Sequence, residues 1–195
     1  MVFMKKIPTL FQRDPSNRSR VIDIVNPVCQ WVLSGEGWPT RKLDGTCCMI
    51  ADGILWKRRE LKKGVFAPEG FRLSDHDERT GKTVGWLPVG DGPEDALHRE
   101  AFAALPLQRP GTYELIGPKV QGNPEGCASH TLVAHDSSWL LFLNPEETPR
   151  TFSGLQTWFA AGPDIEGVVW RCDDGRMAKI KLRDFGFKRG QNGQD

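Results

Sequence analysis

The stretch of this chain best equipped for covalent chemistry is Lys42-Leu43-Asp44-Gly45, where an amine stands two residues ahead of a carboxylate and a glycine follows. A lysine here could act as a nucleophile, but an ammonium of pKa about 10.4 is almost wholly protonated at neutral pH. Desolvation or neighbouring cations must lower it first. Candidate helpers lie downstream: Arg58, Glu114 inside Tyr113-Glu114-Leu115-Ile116, Glu166 inside Ile165-Glu166-Gly167-Val168-Val169-Trp170, and the pair Lys179 and Lys181. On a strand the last two share a face, because side chains alternate with period two. Each has a plainer reading when taken alone. Lysine is usually a surface residue, an isolated glutamate on a strand usually faces water, and paired lysines often guard a sheet edge.

The elements that must carry these residues are mostly strands. Val21–Val25 alternates and is stopped by Asn26-Pro27, Cys29–Leu33 reads as a second short strand, and Ser34–Pro39 as a turn. Cys47–Ala51 and Ile54–Glu60 flank Asp52-Gly53, a dipeptide suited to the positive φ angles of a type I′ hairpin, so Lys42 stands at a strand entrance just before it. Residues 64–92 read as a long, functional loop with short strands such as Val84–Val89. Asp91 as N-cap, Pro93 in the first turn and Glu94-Asp95 behind it predict a helix over Pro93–Leu105. Strands resume at Thr112–Ile116, His130–His135 and Trp139–Leu143. A helix capped by Thr151 or Ser153 then runs to Ala161, and a last hairpin joins Ile165–Arg171 to Arg176–Leu182. This order predicts an α+β fold of mainly antiparallel sheets flanked by a few helices. The expected organisation is an N-terminal arm over 1–20, one domain over 21–188 and a polar tail over 189–195.

Composition removes several classes. At 195 residues the chain suits one domain, and its 38% hydrophobic and 26% charged content is that of an ordinary globular protein. No apolar run approaches the roughly 20 residues of a membrane helix, and Met1–Phe11 lacks the apolar segment of a secretory signal. Five cysteines without a C-x-x-C pair point to reduced thiols in a cytoplasm, and a monomer is the default. A net charge of +1 conceals two basic clusters, one at Lys57-Arg58-Arg59 with Lys62-Lys63, the other from Lys179 to Arg189. Such clusters suit polyphosphate or nucleic acid as well as they suit solvated strand edges. His76 between Asp75 and Asp77 reads as loop surface ahead of a metal or phosphate contact.

Taken in order, K-x-D-G, an arginine strand, Y-E-L-I-G-P, E-G-V-V-W and K-I-K resemble the motifs of the covalent nucleotidyltransferase superfamily of polynucleotide ligases and capping enzymes. The longer strings R-K-L-D-G-T-C-C at 41–48, E-L-I-G-P-K-V-Q-G-N-P at 114–124 and I-E-G-V-V-W-R-C-D-D-G at 165–175 look like the small ATP-dependent 5′-to-3′ RNA ligase family. This resemblance implies a ligase adenylation core and a function: joining RNA 5′-phosphate and 3′-hydroxyl ends, as in RNA repair, through a lysyl-AMP intermediate and an adenylylated RNA 5′ end. It implies that Lys42 attacks the α-phosphorus of ATP, with Asp44 orienting the site and Arg41 and Gly45 beside the nucleotide. Arg58 matches the arginine that contacts the ribose or an incoming 5′-phosphate, with Arg59 as its competitor. Glu114 matches the acid that binds the ribose hydroxyls, and His135 stands where the family stacks an aromatic on adenine. Glu166 matches the acid that works with Mg²⁺ or Mn²⁺, with Glu114 as a second candidate ligand, while Lys179 and Lys181 match the pair near the α-phosphate. Only thirteen residues follow the last motif strand, so no C-terminal OB domain is expected. A binding module of the same fold without turnover, a DNA ligase and a GTP-dependent capping-type enzyme are the alternatives.

Overall fold

The computed structural model describes residues 6–78, 81–136 and 141–190. In the first stretch, β1 (Phe11–Arg13) pairs antiparallel with β2 (Val21–Val25). Leu10 and Phe11 are wholly buried there, so the expected irregular lead-in contains a strand with core residues. Cys29–Leu33, expected as a strand, is helical: a 3₁₀ turn over Pro27–Cys29 runs into α1 (Gln30–Leu33). Asn26 accepts a hydrogen bond from the Val28 amide and Pro27 takes the first helical position, a start signal that outweighs a short apolar run. Strand β3 (Trp38–Lys42) then ends on Lys42.

Next come β4 (Thr46–Ala51), β5 (Ile54–Leu61), β6 (Arg72–Asp77) and β7 (Lys82–Pro88). Asp52 and Gly53 have φ of 53° and 74°, as a type I′ turn between β4 and β5 requires. The segment expected as a long loop thus contains two paired strands. A 3₁₀ turn over Pro93–Asp95 leads into α2 (Ala96–Ala103), with Gly92 rather than Asp91 at the cap. β8 (Gly111–Ile116) and β9 (Thr131–Ala134) follow. Residues 139 and 140 of the expected strand over 139–143 lie outside the described residues; in the rest, Phe142 makes an isolated bridge to Thr40 and no strand forms. Last come α3 (Phe152–Ala160), capped by Thr151, then β10 (Gly167–Arg171) and β11 (Met177–Lys181). The result is a mixed α and β fold whose strand ladders, as paired, are all antiparallel. Among the described residues no helix is long and apolar enough to cross a membrane.

The chain divides into two units, Met1–Lys6 with Asp44–Ser137, and Ile7–Leu43 with Ser138–Asp195. In the second, the sheet order is β11-β10-β3. Alternation sends Val168, Trp170, Ala178 and Ile180 into a core with Leu155 and Phe159 of α3 and Trp31 and Val32 of α1. The opposite face therefore carries Thr40 and Lys42, Gly167 and Val169, and Lys179 and Lys181. In the first unit a sheet of order β6-β7-β5-β4-β8-β9 packs one face, with Cys48, Ile50, Leu55, Tyr113 and Leu115, against Ala101 of α2. Its other face carries Met49, Ala51, Trp56 and Trp86. The adjacent Cys47 and Cys48 point to opposite faces, as alternation demands.

Candidate active site

The register of the three-stranded sheet brings the first group together. Gly167 pairs with Lys42 on one side and Lys181 on the other, and Val169 pairs with Thr40 and Lys179. Lysines on the two outer strands thus flank a glycine on the middle one. A Cβ at Gly167 would lie 2.2 Å from the Ile180 carbonyl oxygen, so no larger residue fits that row. Glu166, one residue before β10, accepts a hydrogen bond from Lys42 Nζ on Oε2 and from Lys181 Nζ on Oε1. Lys42 Nζ also donates to the Leu43 carbonyl at 3.2 Å.

The trio is shielded: the side chains of Lys42, Glu166 and Lys181 retain 19%, 12% and 15% of their exposure. At that burial an unpaired charge would be costly, and the shared carboxylate offsets one of the two ammonium charges. Burial opposes the charge of Glu166. Attraction by Lys42 and Lys181, with their hydrogen bonds, outweighs it and holds the carboxyl below its ordinary value. Lys181 is drawn down, first by burial and then by the charge of Lys42, against the pull of Glu166. The end of β11 is fixed by Asp184, which accepts from the Lys181 amide at 2.9 Å and pairs with Arg13 at 2.7 Å. Lys179 shares the face of Lys181, and its backbone holds the segment before β1 through bonds with Pro8 and Leu10. Arg41 alternates to the other side of β3 from Lys42.

The other expected residues lie in the six-stranded unit. Asp44 donates its amide to Glu125 Oε1 at 3.0 Å. A Cβ on Gly45 would stand 2.2 Å from the Leu115 carbonyl oxygen and 2.9 Å from Glu114 Cγ, so the motif's glycine is required by close passage along β8. Glu114, only 8% exposed, receives His135 Nε2 at 3.1 Å on Oε2. The other ring nitrogen of His135 meets Thr112 Oγ1 at 3.0 Å, so both edges of the imidazole are engaged and any stacked base would use a ring face. Arg58 lies opposite Trp86, its guanidinium 6.0 Å from the indole centroid. Alternation sends Arg59 to the other face of β5.

Sequence reasoning missed Glu125, whose signal is its place in the turn cluster Gly122–Gly126. It also missed Asp95, which is buried, pairs with Lys57, and accepts from the Gly90 amide at 2.8 Å. His76 is exposed and meets Thr83 Oγ1 at 3.0 Å. Among the described residues no group of three or more His, Cys, Asp or Glu could hold a metal ion by itself. A single carboxylate such as Glu166 suits a Mg²⁺-type ion, which takes one or two carboxylates and completes its shell with substrate phosphates and water.

A family model described as RNA ligase 1 matches residues 94–193. That span contains Glu114, His135, Glu166, Lys179 and Lys181 and begins after Lys42 and Arg58. The chain is similar to RNA ligase 1 of Danio rerio, at 25% identity over 76% of this chain and 67% of that protein. It is also similar to RNA ligase 1 of Pongo abelii, at 31% identity over 49% of this chain and 30% of that protein. The likeness to RNA ligase 1 of Mus musculus is 27% identity over 56% of this chain and 42% of that protein. The match thus spans about two thirds of the fish relative and less than half of the two mammalian ones.

Proposed function

The chain belongs to the RNA ligase 1 family, and from that premise we propose that it is an ATP-dependent RNA ligase with Lys42 as its nucleophile and a nucleotidyltransferase-type core. The observation that carries this reading is the Lys42–Glu166–Lys181 trio, aligned on adjacent strands around Gly167. Lys42 first releases its ammonium proton to solvent. Its nitrogen then attacks the α-phosphorus of ATP, the Nζ–P bond forms as the bond to the bridging oxygen breaks, pyrophosphate leaves with that electron pair, and the nitrogen sheds a second proton to solvent to leave the lysyl-AMP phosphoramidate. Glu166 holds Lys42 in place before the nucleotide arrives. Lys181 and Lys179 neutralise charge on the α-phosphate, where fixed cations favour phosphoryl transfer. Bound at Glu166, Mg²⁺ or Mn²⁺ would supply further neutralisation of phosphate charge.

Glu114 takes the ribose hydroxyls through the oxygen that His135 leaves free, and His135 fixes the carboxylate while offering its face to adenine. The register favours Arg58 over Arg59 as the phosphate-contacting arginine, since Arg58 shares the face of Glu114. In the second step an RNA 5′-phosphate displaces Lys42, whose nitrogen regains a proton, giving an adenylylated RNA end. A 3′-hydroxyl then attacks the RNA phosphorus, loses its proton, and AMP departs. With its five cysteines present as thiols rather than disulfides, the chain suits the reducing cytoplasm.

The test is nucleotide and strand selectivity. Incubation with α-phosphate-labelled ATP and Mg²⁺ or Mn²⁺ is expected to label the protein, GTP is not, and a nicked RNA duplex is sealed in preference to a nicked DNA duplex. Labelling by GTP alone, or sealing of DNA alone, overturns the reading. ATP affinity without pyrophosphate release would make the protein a binding module.

A further inference from the structure

The six-stranded sheet carries a row of residues that the nucleotide chemistry does not use up. Arg72 on β6 pairs with Trp86 on β7, which pairs with Arg58 on β5. The register of β5 with β4, with Lys57 opposite Cys48, brings Cys47 level with Arg58, and Cys47 pairs with Glu114 on β8. Arg72, Trp86, Arg58, Cys47 and Glu114 therefore form one line across five strands, on one face. Arg72 is exposed, and its guanidinium lies 4.3 Å from the centroid of the Trp56 ring. Arg58 lies over Trp86 at the longer distance of 6.0 Å.

Among the described residues neither guanidinium has a carboxylate partner. Carboxylates are nearby: Glu60 and Asp75 both stand opposite Val84, in the next row of that face. Glu60 pairs with Lys82 at 2.7 Å instead. Trp56 and Trp86 are 4% and 0% exposed, so they support the arginines from beneath and offer no platform for a base. An arginine whose plane is held by an indole keeps its N–H fork pre-oriented for a phosphate.

We propose that Arg72, together with Arg58, binds successive backbone phosphates of the RNA strand that is to be joined. The proposal rests on the ligase reading and deepens it. Distance separates RNA from ATP as the ligand of Arg72. With neighbouring strands about 4.8 Å apart, Arg58 lies roughly 10 Å from Glu114 along the row and Arg72 roughly 19 Å. If Glu114 takes the ribose of ATP, the triphosphate is too short to reach Arg72, whereas a polynucleotide continues past Arg58 towards it. The same line makes the exposed edge of the sheet the side from which the RNA enters.

The test is equilibrium binding of a short 5′-phosphorylated single-stranded RNA to the full chain over a range of salt concentrations. Each phosphate contact on a single strand contributes about 0.7 to the slope of log K against log salt. Arg72→Ala and Arg72→Gln are expected to weaken binding several-fold and lower the slope by about 0.7. Arg72→Lys, which keeps the charge, is expected to retain most of the slope. If Arg72→Ala unfolds the protein, the Gln and Lys variants decide the matter between them. An unchanged Kd and slope in Arg72→Gln overturns the proposal. So does equal loss in Arg72→Gln and Arg72→Lys, which would assign Arg72 a structural role on Trp56. Weakened ATP binding with an intact RNA slope would place Arg72 on the nucleotide instead. Because RNA binding is read without turnover, failure here is distinct from failure of the ligase reading, which would appear as wild-type protein that never takes up AMP.

Discussion

Both units place cations on a sheet face, but they balance them in opposite ways. In the unit of β3, β10 and β11, Lys42 and Lys181 share the single carboxylate of Glu166. In the six-stranded unit, Arg58 and Arg72 lie on tryptophans, and among the described residues neither has an acid as partner. On the proposed reading, a lysine that attacks phosphorus is served by a partner that fixes it and can release it. An arginine that must hold a phosphate is served by a support that leaves its charge uncompensated. Polarity alone does not distinguish the two arrangements; their counter-charges do.

The largest expected effect comes from removing the balance of the first unit. Glu166→Ala leaves two shielded ammonium groups side by side, and the rate of protein adenylation is expected to fall about a thousandfold, comparable to losing a key electrostatic group in other enzymes. A single-turnover assay with ATP measures it, and a change of less than tenfold would break the contrast between the units.

The six-stranded unit contains a covered neutralised pair, Lys57–Asp95, besides the exposed Glu60–Lys82, and the covered pair serves as an internal control. Asp95→Asn is expected to cost about 3 kcal/mol of stability, because it strands Lys57 where it is largely covered. Denaturant unfolding measures this. Burial opposes the charge of Asp95, but the hydrogen bond from Lys57, the Gly90 amide and the nearby charges hold its carboxyl below the usual value. Unfolded chains therefore take up this proton more readily, and the contribution of Asp95 is present above about pH 4 and lost as pH falls further. His98 adds to the acid sensitivity. Burial, opposed by Asp95, lowers it below its usual value, so the unfolded state gains its proton first as pH falls below about 6.5. Unfolding midpoints across pH 3–8 should decline on both ranges in the wild type, and the lower decline should become shallower, though not disappear, in Asp95→Asn, because Glu166 is also held below its ordinary value.

The smallest expected effect is Thr151→Ala, which removes the hydroxyl that accepts from the Gly154 amide at 3.2 Å and should cost about 1 kcal/mol. Adenylation should be unaffected, which shows how far the trio's chemistry is separable from the stability of α3 behind it.

Local chemistry made much of this legible. The Asp52-Gly53 turn, the Thr151 cap and the last hairpin are set by a few adjacent residues, and period two alone places Lys179 and Lys181 on one face. The Lys42–Glu166 contact joins residues 124 apart in sequence, and only the order of motifs pointed to it. The pairing of β6 had no such signal, because the edge strand Arg-Leu-Ser-Asp-His-Asp lacks an apolar alternation. Arg72 was hidden for the same reason: its support, Trp56, comes from a strand two places away in the sheet. The helix at α1 was misread because Cys29–Leu33 is too short for its periodicity to outweigh the cap that precedes it.

The central claim is that Lys42 carries the nucleotide, and intact-mass measurement after incubation with ATP and Mg²⁺ tests it most directly. The wild type should gain the mass of one AMP and return to its starting mass when 5′-phosphorylated RNA is added, while Lys42→Ala should never gain it. An adduct on Lys42→Ala, or a wild type that stays unmodified with both Mg²⁺ and Mn²⁺, would contradict the account.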